Sequence, residues 1–388
     1  MVKGRFRLKI VLFSSISHGG LAEHLLYQGR ALSSEGCAVT FLVPPDFLAG
    51  RALPGRSDRS LLTLTSKSSP GLKRKLTMAR NIFLNEWRLA LHVLRQRPDA
   101  ILLASYSEYL APLWFLPHYL LSKMIGVDYI ANLHDPVRNY QVGPAWWHHL
   151  SVRCAYLPLS GVLVHQRPPV EAMVPKCIRM IEVPVGTYDV ADSRLNSREL
   201  RAGWNVPDRA KVLLSFGYVR DNKNIDLVLR ALVGVKEVFL VVVGKVATGE
   251  GKTHGFYEAL AKELGVADRV RVLDHFVPDN EVAPYFQASD FILLAYGASF
   301  VSQSGVLNIA ARMRKPVLAS SGTGPLEHCV KAYRLGVFVP PDSVETLNDG
   351  MRRLVANQFE SPRWTDYETH ASWRANARGL LTALSFSN

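Results

Sequence analysis

The sequence has few cysteines and no pattern that would give them a chemical role. Its 388 residues include four cysteines, Cys37, Cys154, Cys177 and Cys329, and none has the spacing of a metal or redox site. Such usage argues against a disulfide scaffold and favours a reducing environment, so we expect a cytoplasmic protein.

The sequence also lacks a long, uninterrupted hydrophobic run. The segment 101–125 is apolar and aromatic, but Glu108, His118, Lys123 and two prolines interrupt it. We predict a strand and then a buried or interfacial helix there, not a membrane span. The apolar run Ile10–Phe13 is too short for a signal peptide and precedes no small-residue cleavage site, so we predict a first β-strand.

Acidic residues are scarce in one half of the chain. The net charge is +13, and residues 1–185 hold 22 Lys and Arg against 11 Asp and Glu, whereas residues 186–388 hold 24 against 22. Nucleic acid, an anionic membrane surface or an anionic substrate could each bind such a half. Signatures of zinc fingers, RNA-recognition domains and leucine zippers are absent, so we expect no nucleic-acid partner.

Part of the excess of positive charge in the first half lies in residues 44–80, which are rich in Arg, Lys, Gly, Pro and Ser. The pattern predicts a mobile basic loop and then an amphipathic helix over Leu76–Arg95. Two interpretations stay open: a solvated loop with a helix that faces the core, or a surface that binds an anionic membrane.

Strand-like apolar runs alternate with helix-like stretches along the whole chain. This alternation predicts an α/β protein with parallel sheets covered by helices on both faces. Its recurrence predicts two doubly wound Rossmann-like domains facing a central cleft, because ligands bind at the carboxyl ends of such strands. The predicted strands are Ile10–Phe13, Thr40–Val43, Ala100–Leu103, Tyr129–Asn132 and Gly161–Val164, then Val212–Phe216, Phe239–Val243, Val270–Leu273, Phe291–Leu294 and Pro316–Ala319.

The polar stretch after the last strand of the first half marks the domain boundary. We predict an N-terminal domain over 1–185, a linker over 186–208 and a C-terminal domain over 209–365. Residues 366–388 are expected to form a C-terminal helix that packs back on the N-terminal domain.

The most informative stretch follows the first strand of the second half. The apolar run Val212–Phe216 stops at Gly217, and Arg220 and Lys223 precede a helix that begins near Ile225. Backbone N–H groups of a glycine turn, two cations and a helix N-terminus together suit a diphosphate group. An ordinary strand-to-helix turn with solvated cations is the alternative from this motif alone.

Other short motifs stand in a fixed order around this turn. They are Ser17-His18-Gly19-Gly20, Asn132-Leu133-His134-Asp135-Pro136, Val242-Val243-Gly244, Asp274-His275-Phe276-Val277-Pro278, Ala288-Ser289-Asp290, Ser302-Gln303-Ser304-Gly305-Val306-Leu307 and Lys315-Pro316-Val317. With these motifs in this order, the chain resembles the GT-B glycosyltransferases, in particular glycosyltransferase family 4 (group 1), over nearly its whole length and most strongly over 211–345.

The resemblance implies roles in donor binding for residues of the second half. Arg220 and Lys223 would bind the diphosphate of a nucleotide sugar and stabilise it as it leaves. Ser304 and Gly305 would begin a helix whose N–H groups hold phosphate oxygens. The remaining donor-site candidates are the turn glycine Gly217, the strand-end Gly244 and the loop residue Val277, whose backbone would contact the base.

The resemblance also implies roles for the first half. His134 would reach the donor sugar near the reacting carbon, and Asp135 would either orient the His134 ring or cap a following helix. Gly19 and Gly20 would allow donor and acceptor to approach the backbone closely.

The chain departs from the family pattern at its two glutamates. Val301 and Ile309 stand where these acids would lie, within a Ser-Gln-Ser-Gly variant of the motif. Contacts to the ribose and the sugar are therefore expected from Ser302, Gln303 or Asn308. No Asp-x-Asp motif is present, which agrees with catalysis without a metal or another cofactor.

The resemblance thus implies a metal-independent, retaining hexosyltransferase that uses a UDP- or GDP-sugar. The acceptor would be a saccharide or lipid-linked saccharide in polysaccharide or glycolipid synthesis, handled at the inner face of the plasma membrane. A nucleotide-sugar epimerase and a non-catalytic partner subunit remain alternatives. A nicotinamide-dependent dehydrogenase is the weakest, since no Gly-x-Gly-x-x-Gly follows the first strand of either half.

Overall fold

The computed structural model describes residues 7–64, 71–104, 108, 110–134, 143–165, 174–187, 195–207, 209–247 and 250–385. The chain divides into two compact units. The first unit combines Met1–Val185 with Trp373–Asn388, and the second unit is Gly186–Ser372.

The described part of the first unit is built on a seven-stranded parallel sheet with the order β3-β2-β1-β4-β5-β6-β7. With elements numbered in chain order, its strands are β1 (Lys9–Phe13), β2 (Ala38–Leu42), β3 (Arg56–Asp58), β4 (Ala100–Leu103), β5 (Asp128–Leu133), β6 (Gly161–Val164) and β7 (Arg179–Glu182). Its helices are α1 (Gly20–Ser34), α2 (Gly71–Gln96), α3 (Ala111–Ile125), α4 (Ala145–Tyr156) and α13 (Trp373–Ser385).

The described part of the second unit is built on a six-stranded parallel sheet with the order β10-β9-β8-β11-β12-β13. Its strands are β8 (Lys211–Phe216), β9 (Val238–Val243), β10 (Val270–Leu273), β11 (Phe291–Ala295), β12 (Val317–Ser320) and β13 (Gly336–Phe338). Its helices are α5 (Ser197–Gly203), α6 (Ile225–Leu232), α7 (His254–Glu263), α8 (Val282–Ala288), α9 (Gly305–Arg312), α10 (Pro325–Ala332), α11 (Val344–Val355) and α12 (Trp364–His370).

Both faces of each sheet are buried, which explains the continuous apolar runs. In β8, Val212 and Leu214 enter one hydrophobic cluster, and Leu213 between them enters another. Successive strand residues point to opposite faces, so each face packs against its own layer of helices. This is the doubly wound arrangement that the alternating pattern predicts.

All ten strands predicted from the apolar runs are present, with small shifts at their ends. Three further strands are absent from the prediction, namely β3, β7 and β13. Each lies at the edge of its sheet and has three or four residues, so it needs few apolar side chains. Arg56, Ser57 and Asp58, which form β3, have no apolar run at all, and they lie inside the segment predicted as a mobile loop.

The unit boundaries differ from the expected linker and C-terminal segment. Residues 186–208 belong to the second unit, where α5 packs against α8. Arg201 of α5 contacts Asp290 at 2.9 Å and also donates to the carbonyl oxygens of Ala288 and Ala210. At the other end, α12 stays in the second unit, and only the chain from Trp373 onward joins the first.

Helix α13 is fixed to the first unit by charged and buried polar contacts. Glu35 at the end of α1 accepts hydrogen bonds from Arg374 at 2.7 Å and Arg378 at 3.1 Å, and these bonds lower the pKa of its carboxyl. In the interior, Gln28 of α1 donates to Asn132 of β5 at 3.0 Å and to Asn376 of α13 at 3.1 Å. One amide network therefore joins α1, β5 and α13.

Two glycines shape the carboxyl edge of the second sheet. Gly217 follows β8 with a φ of +85°, and Gly244 follows β9 with a φ of +147°. A Cβ on Gly244 would lie 2.2 Å from the carbonyl oxygen of Gly217, so no side chain fits there. The two strand ends can approach this closely only because Gly244 lacks a Cβ.

The substitution Gly244→Ala is expected to destabilise the protein by more than about 3 kcal/mol, since backbone strain and a steric clash add together. The matched control is Gly265→Ala, because Gly265 also has a positive φ of +68° but has open space at its Cβ position. We expect the control to cost about 1 to 2 kcal/mol. Urea unfolding measures both values, and equal losses would contradict the clash.

Candidate functional site

The turn after β8 presents two cations at the carboxyl edge of the second sheet. The N–H of Gly217 donates to the carbonyl oxygen of Val243 at 3.0 Å, which directs the chain out of the sheet. A single 3-10 turn over Asp221–Lys223 follows, and Asn224, with a φ of +50°, leads into α6. Arg220 and Lys223 thus lie between a strand end and a helix start, as the sequence predicts.

Lys223 folds back onto its own strand end. Its Nζ donates a hydrogen bond to the carbonyl oxygen of Phe216 at 2.7 Å. Burial, together with the positive charge of Arg220, lowers the pKa of Lys223 to about 7. Arg220 is exposed, and its side chain makes no hydrogen bond or ion pair within the described part of the chain. An anion at this point would compensate both charges.

Backbone and carboxylate contacts hold this turn. The N–H of Asp221 donates to Glu250 at 2.6 Å. The Asp221 carboxylate accepts from the backbone N–H groups of Gly251 and Lys252, at 3.0 Å each. The two cations are therefore carried by a turn whose backbone has fixed partners, which is the kind of preorganisation that an anion site requires.

Three further hydrogen bonds tie the turn to the loop after β11. The N–H of Gly297 donates to the carbonyl oxygen of Asn222 at 3.0 Å. Asp342 accepts from the Asn224 side chain and from the N–H of Ala298, both at 2.8 Å. Because β8 and β11 are neighbours in the sheet, these bonds place the two loops side by side.

The loop after β11 leads to the start of α9. Ser304 precedes the helix, is buried and does not cap the backbone, since its hydroxyl lies 3.2 Å from the hydroxyl of Tyr296. Burial raises the pKa of Tyr296, and the Ser304 hydrogen bond and the charge of Arg220 partly offset this rise. Gly305 is exposed and has open space at its Cβ position, so the first backbone groups of α9 are accessible.

The position of Asn308 differs from the sequence-based expectation that its side chain contacts the ribose or the sugar. Its side chain is fully buried, accepts from the Tyr367 hydroxyl at 2.5 Å and donates to the carbonyl oxygen of Gly186 at 3.3 Å. Gln303 donates to the same Tyr367 hydroxyl at 3.3 Å. Asn308 therefore joins α9 to the start of the second unit and offers no group to a ligand. Ser302 and Gln303 are partly exposed.

Val277 and Gly244 are two further residues predicted to bind the donor. The side chain of Val277 is buried in the hydrophobic core of the second unit, so only its main-chain atoms could reach a ligand. The N–H of Gly244 donates to the carbonyl oxygen of Leu273 at 3.1 Å, and the carbonyl oxygen of Gly244 lies 2.8 Å from Nε2 of His254. Gly244 supports the turn through the space that its missing side chain leaves.

In the first unit, Gly19 and Gly20 form the exposed start of α1. Gly19 has a φ of +83°, and its carbonyl oxygen accepts hydrogen bonds from the N–H groups of Ala22 at 3.0 Å and Glu23 at 3.1 Å. A Cβ on either glycine would meet nothing within 4 Å. The backbone here is therefore exposed, and its contact with donor and acceptor stays a prediction.

His134 lies directly after β5, and the structure places its ring in a cluster with two other histidines. Its Nδ1 is 3.4 Å from Nε2 of His165, and its ring contacts that of His24 edge-to-face with centroids 4.5 Å apart. Burial, with a smaller contribution from the His165 charge, lowers the pKa of His134 to about 3. His134 is therefore neutral at neutral pH. Asp135 lies outside the described residues.

Several of these residues escaped the sequence-based prediction. Asp342 and Tyr296 stand far from the cations in the chain, and no local pattern connects them with Arg220. The sequence does contain a signal for the histidine cluster, because His134 and His165 each directly follow a predicted strand. Since the ends of neighbouring parallel strands meet at one edge, two strand-end histidines indicate a pair.

Comparison with known proteins finds a family that matches most of the second unit. The family described as "Glycosyl transferases group 1" matches residues 196–379, so this region is similar to the group 1 glycosyl transferases. The region contains the two-cation turn, the start of α9 and Asp342, so the geometry described for the second unit lies within it.

Two curated relatives match about half of the chain. The D-inositol 3-phosphate glycosyltransferase of Corynebacterium aurimucosum is 27% identical over 206 residues, which are 50% of this chain and 47% of the relative. The protein of the same description from Mycobacteroides abscessus is 25% identical over 186 residues, which are 47% of this chain and 41% of the relative. The match thus spans less than half of each relative.

A comparison of folds finds similarity to solved structures over nearly the whole chain. The structure of Anabaena HepE in complex with UDP and glucose aligns with a TM-score of 0.66 and 16% identity, covering 98% of this chain and 100% of that one. Together with the two parallel sheets, this alignment shows that the chain has the GT-B fold.

The buried network around Asn308 yields a testable expectation. The substitution Tyr367→Phe should cost about 1 to 3 kcal/mol of stability, because it leaves the buried Asn308 oxygen without its donor. The control is Tyr333→Phe, because the Tyr333 ring packs against Tyr367 but its hydroxyl makes no hydrogen bond within the described residues. Thermal unfolding measures both. If Tyr367→Phe is as stable as the wild type but binds no nucleotide, the result would contradict the structural role and favour a place for Asn308 in the donor site.

Proposed function

We propose that this protein transfers a sugar from a nucleotide-diphosphate sugar to an acceptor hydroxyl without a metal ion. The observation that carries the proposal is the pairing of the Arg220 and Lys223 turn with the accessible start of α9, within a group 1 glycosyl transferase domain. Cations and helix N–H groups at one sheet edge suit a diphosphate. The Anabaena relative in complex with UDP and glucose supports a nucleotide-sugar donor.

In this proposal, the bond between the anomeric carbon and the phosphate oxygen breaks while the acceptor oxygen bonds to that carbon. The nucleoside diphosphate leaves with the bonding electron pair, and Arg220, Lys223 and the α9 backbone stabilise its developing charge. The acceptor proton passes to a group that we leave unassigned. Retention of configuration is the outcome that the family resemblance implies.

The remaining candidates take supporting roles. Ser302 and Gln303 replace the family's acidic contacts to the ribose and the sugar. His134 would act as a neutral imidazole, because burial lowers its pKa to about 3. Gly19 and Gly20 offer an open backbone to the acceptor, which we expect to be a saccharide or a lipid-linked saccharide.

The substitution Lys223→Met tests the proposed diphosphate contact. We expect it to weaken binding of the matching nucleoside diphosphate about ten- to hundredfold, since a charge-assisted hydrogen bond contributes about 1.5 to 3 kcal/mol. Thermal-shift titrations with UDP, GDP and ADP measure binding, and product analysis with the corresponding nucleotide sugar measures transfer. The control is Lys236→Met, because Lys236 is exposed beside the amino end of β9.

The pH dependence of binding provides a second readout for the same variants. A bound diphosphate should raise the pKa of Lys223 from about 7, so binding takes up a proton and affinity falls as the pH rises above about 7. Lys223→Met should lose this part of the pH dependence and keep the part that comes from the nucleotide itself. An identical pH profile in both proteins, or donor converted to an epimer without acceptor, would contradict the proposal.

We also propose that the first unit binds an anionic membrane surface. Helices α2 and α3 pack against each other, and each carries a stripe of exposed apolar residues at helical spacing. Exposed cations, among them Lys73, Arg74, Lys75, Arg80, Arg95 and Lys123, lie on the same helices. Apolar side chains beside cations suit an interfacial surface. The stripes are Leu76, Leu84, Trp87, Leu91 and Leu94 on α2 and Leu113, Leu116, Leu120 and Met124 on α3.

Among the described helices, none is both long enough and apolar enough to cross a bilayer, so the proposed contact is peripheral. Flotation with vesicles of phosphatidylglycerol and phosphatidylcholine tests it. Leu91→Gln combined with Leu94→Gln should reduce the bound fraction at least about fivefold, since two apolar side chains no longer enter the interface. The control is Phe256→Gln, because Phe256 is similarly exposed but lies in the second unit. Equal binding of both variants would refute the surface.

A further inference from the structure

Three histidines from different elements of the first unit converge at the carboxyl edge of its sheet. His24 lies on α1, His134 follows β5 and His165 follows β6. Each offers one ring nitrogen, and the three nitrogens all lie within 4.8 Å of one another. The proposed transfer reaction has no use for His24 or His165.

The fold explains why the rings meet. Strands β5 and β6 are paired in parallel with Leu133 opposite Val164, so the next residue of each strand is a histidine at the same edge. His24 lies one helical turn before Gln28, whose side chain is bound to Asn132 at 3.0 Å. The buried amide network therefore holds α1 against the strand that carries His134.

The hydrogen-bonding pattern fits metal ligands that lack their ion. Nδ1 of His165 lies 3.1 Å from the carbonyl oxygen of Val183, an arrangement that leaves Nε2 of His165 with its lone pair. That Nε2 is 3.4 Å from Nδ1 of His134. Two ligands of a tetrahedral zinc ion, each at about 2.0 to 2.1 Å from the metal, lie about 3.3 Å apart.

The third ring supplies an independent observation. Nε2 of His24 is buried and has no hydrogen-bond partner among the residues that the structure describes. A buried polar atom without a partner costs free energy, and nearly all such atoms in proteins are satisfied by protein, water or an ion. The His24 ring packs edge-to-face against Trp373, with ring centroids 4.8 Å apart. This packing does not offset the free-energy cost of the buried, unpaired Nε2 of His24.

We propose that His24, His134 and His165 form a binding site for one divalent transition-metal ion of the zinc type. Imidazole ligands suit Zn²⁺, Co²⁺, Ni²⁺ or Cu²⁺, whereas Mg²⁺ and Ca²⁺ prefer oxygen ligands. His24 closes on the His134–His165 pair by a small movement of its ring, because its nitrogen already lies within 4.8 Å of theirs.

The site has a consequence that rests on the proposed function. An ion on His134 would occupy the imidazole that we assign to the transfer reaction, so zinc should slow transfer by wild-type protein. Binding itself does not depend on that function and is measured without a donor. Failure of the metal site and failure of the proposed transferase activity are thus separate results.

The test uses the full chain after removal of metal with a chelator. Zn²⁺ is titrated in competition with a chromophoric chelator, and Co²⁺ provides an absorption spectrum that reports its coordination. We expect one ion per chain, a nitrogen-rich tetrahedral Co²⁺ spectrum and a melting temperature that rises with Zn²⁺. Replacement of one ligand in His165→Gln should weaken Zn²⁺ binding at least about a hundredfold.

The control is His149→Gln, because His149 is exposed on α4 and outside the cluster, so this variant should bind as the wild type does. His24→Asn serves as a second ligand variant if His165→Gln fails to fold. Wild-type protein that binds no zinc would overturn the proposal. So would folded ligand variants that bind zinc as tightly as the wild type.

Discussion

The carboxyl edge of the second sheet depends on the contact between two glycines. The carbonyl oxygen of Gly217 occupies the space that a Cβ of Gly244 would need, so the ends of β8 and β9 lie closer together than strands with side chains would permit. The turn that carries Arg220 and Lys223 starts from this contact. The hydrogen bonds that the carboxylates of Asp221 and Asp342 accept then fix that turn to its neighbours.

This fixed turn creates an electrostatic imbalance. Burial of Lys223 disfavours its charge, and the nearby Arg220 disfavours it further, so the lysine pKa falls to about 7. Above that pH the unliganded fold holds fewer protons than the unfolded chain, and its stability therefore rises with pH between about 7 and the ordinary lysine pKa. A bound dianion would reverse the imbalance, because it favours the charged lysine. The same burial that costs stability in the free protein thus favours binding of a diphosphate.

Much of the fold and part of the site could be predicted from the sequence, because both follow local rules. Buried parallel strands need continuous apolar runs, and a tight turn needs Gly217. Short edge strands such as β3 have no such requirement and escape prediction. The burial of Asn308, a predicted donor contact, could be recognised from its position, since Ser304, Leu307, Asn308 and Ala311 form one stripe at helical spacing. That stripe faces the core, as the burial of all four residues shows. Asp342 is close to the cations only through tertiary structure.

The two sheets apply the same strand-end rule to different chemistry. In the second unit, the edge at β8 and β11 carries cations and helix N–H groups, which together suit an anion. In the first unit, the edge at β5 and β6 carries imidazoles, which suit a cation that prefers nitrogen ligands. The difference arises from residue choice and not from topology, since both sheets are parallel and doubly wound. The chemistry at each sheet edge is therefore determined by the few residues that follow each strand. The cations of the second unit and the histidines of the first unit both lie just after the last apolar residue of a strand.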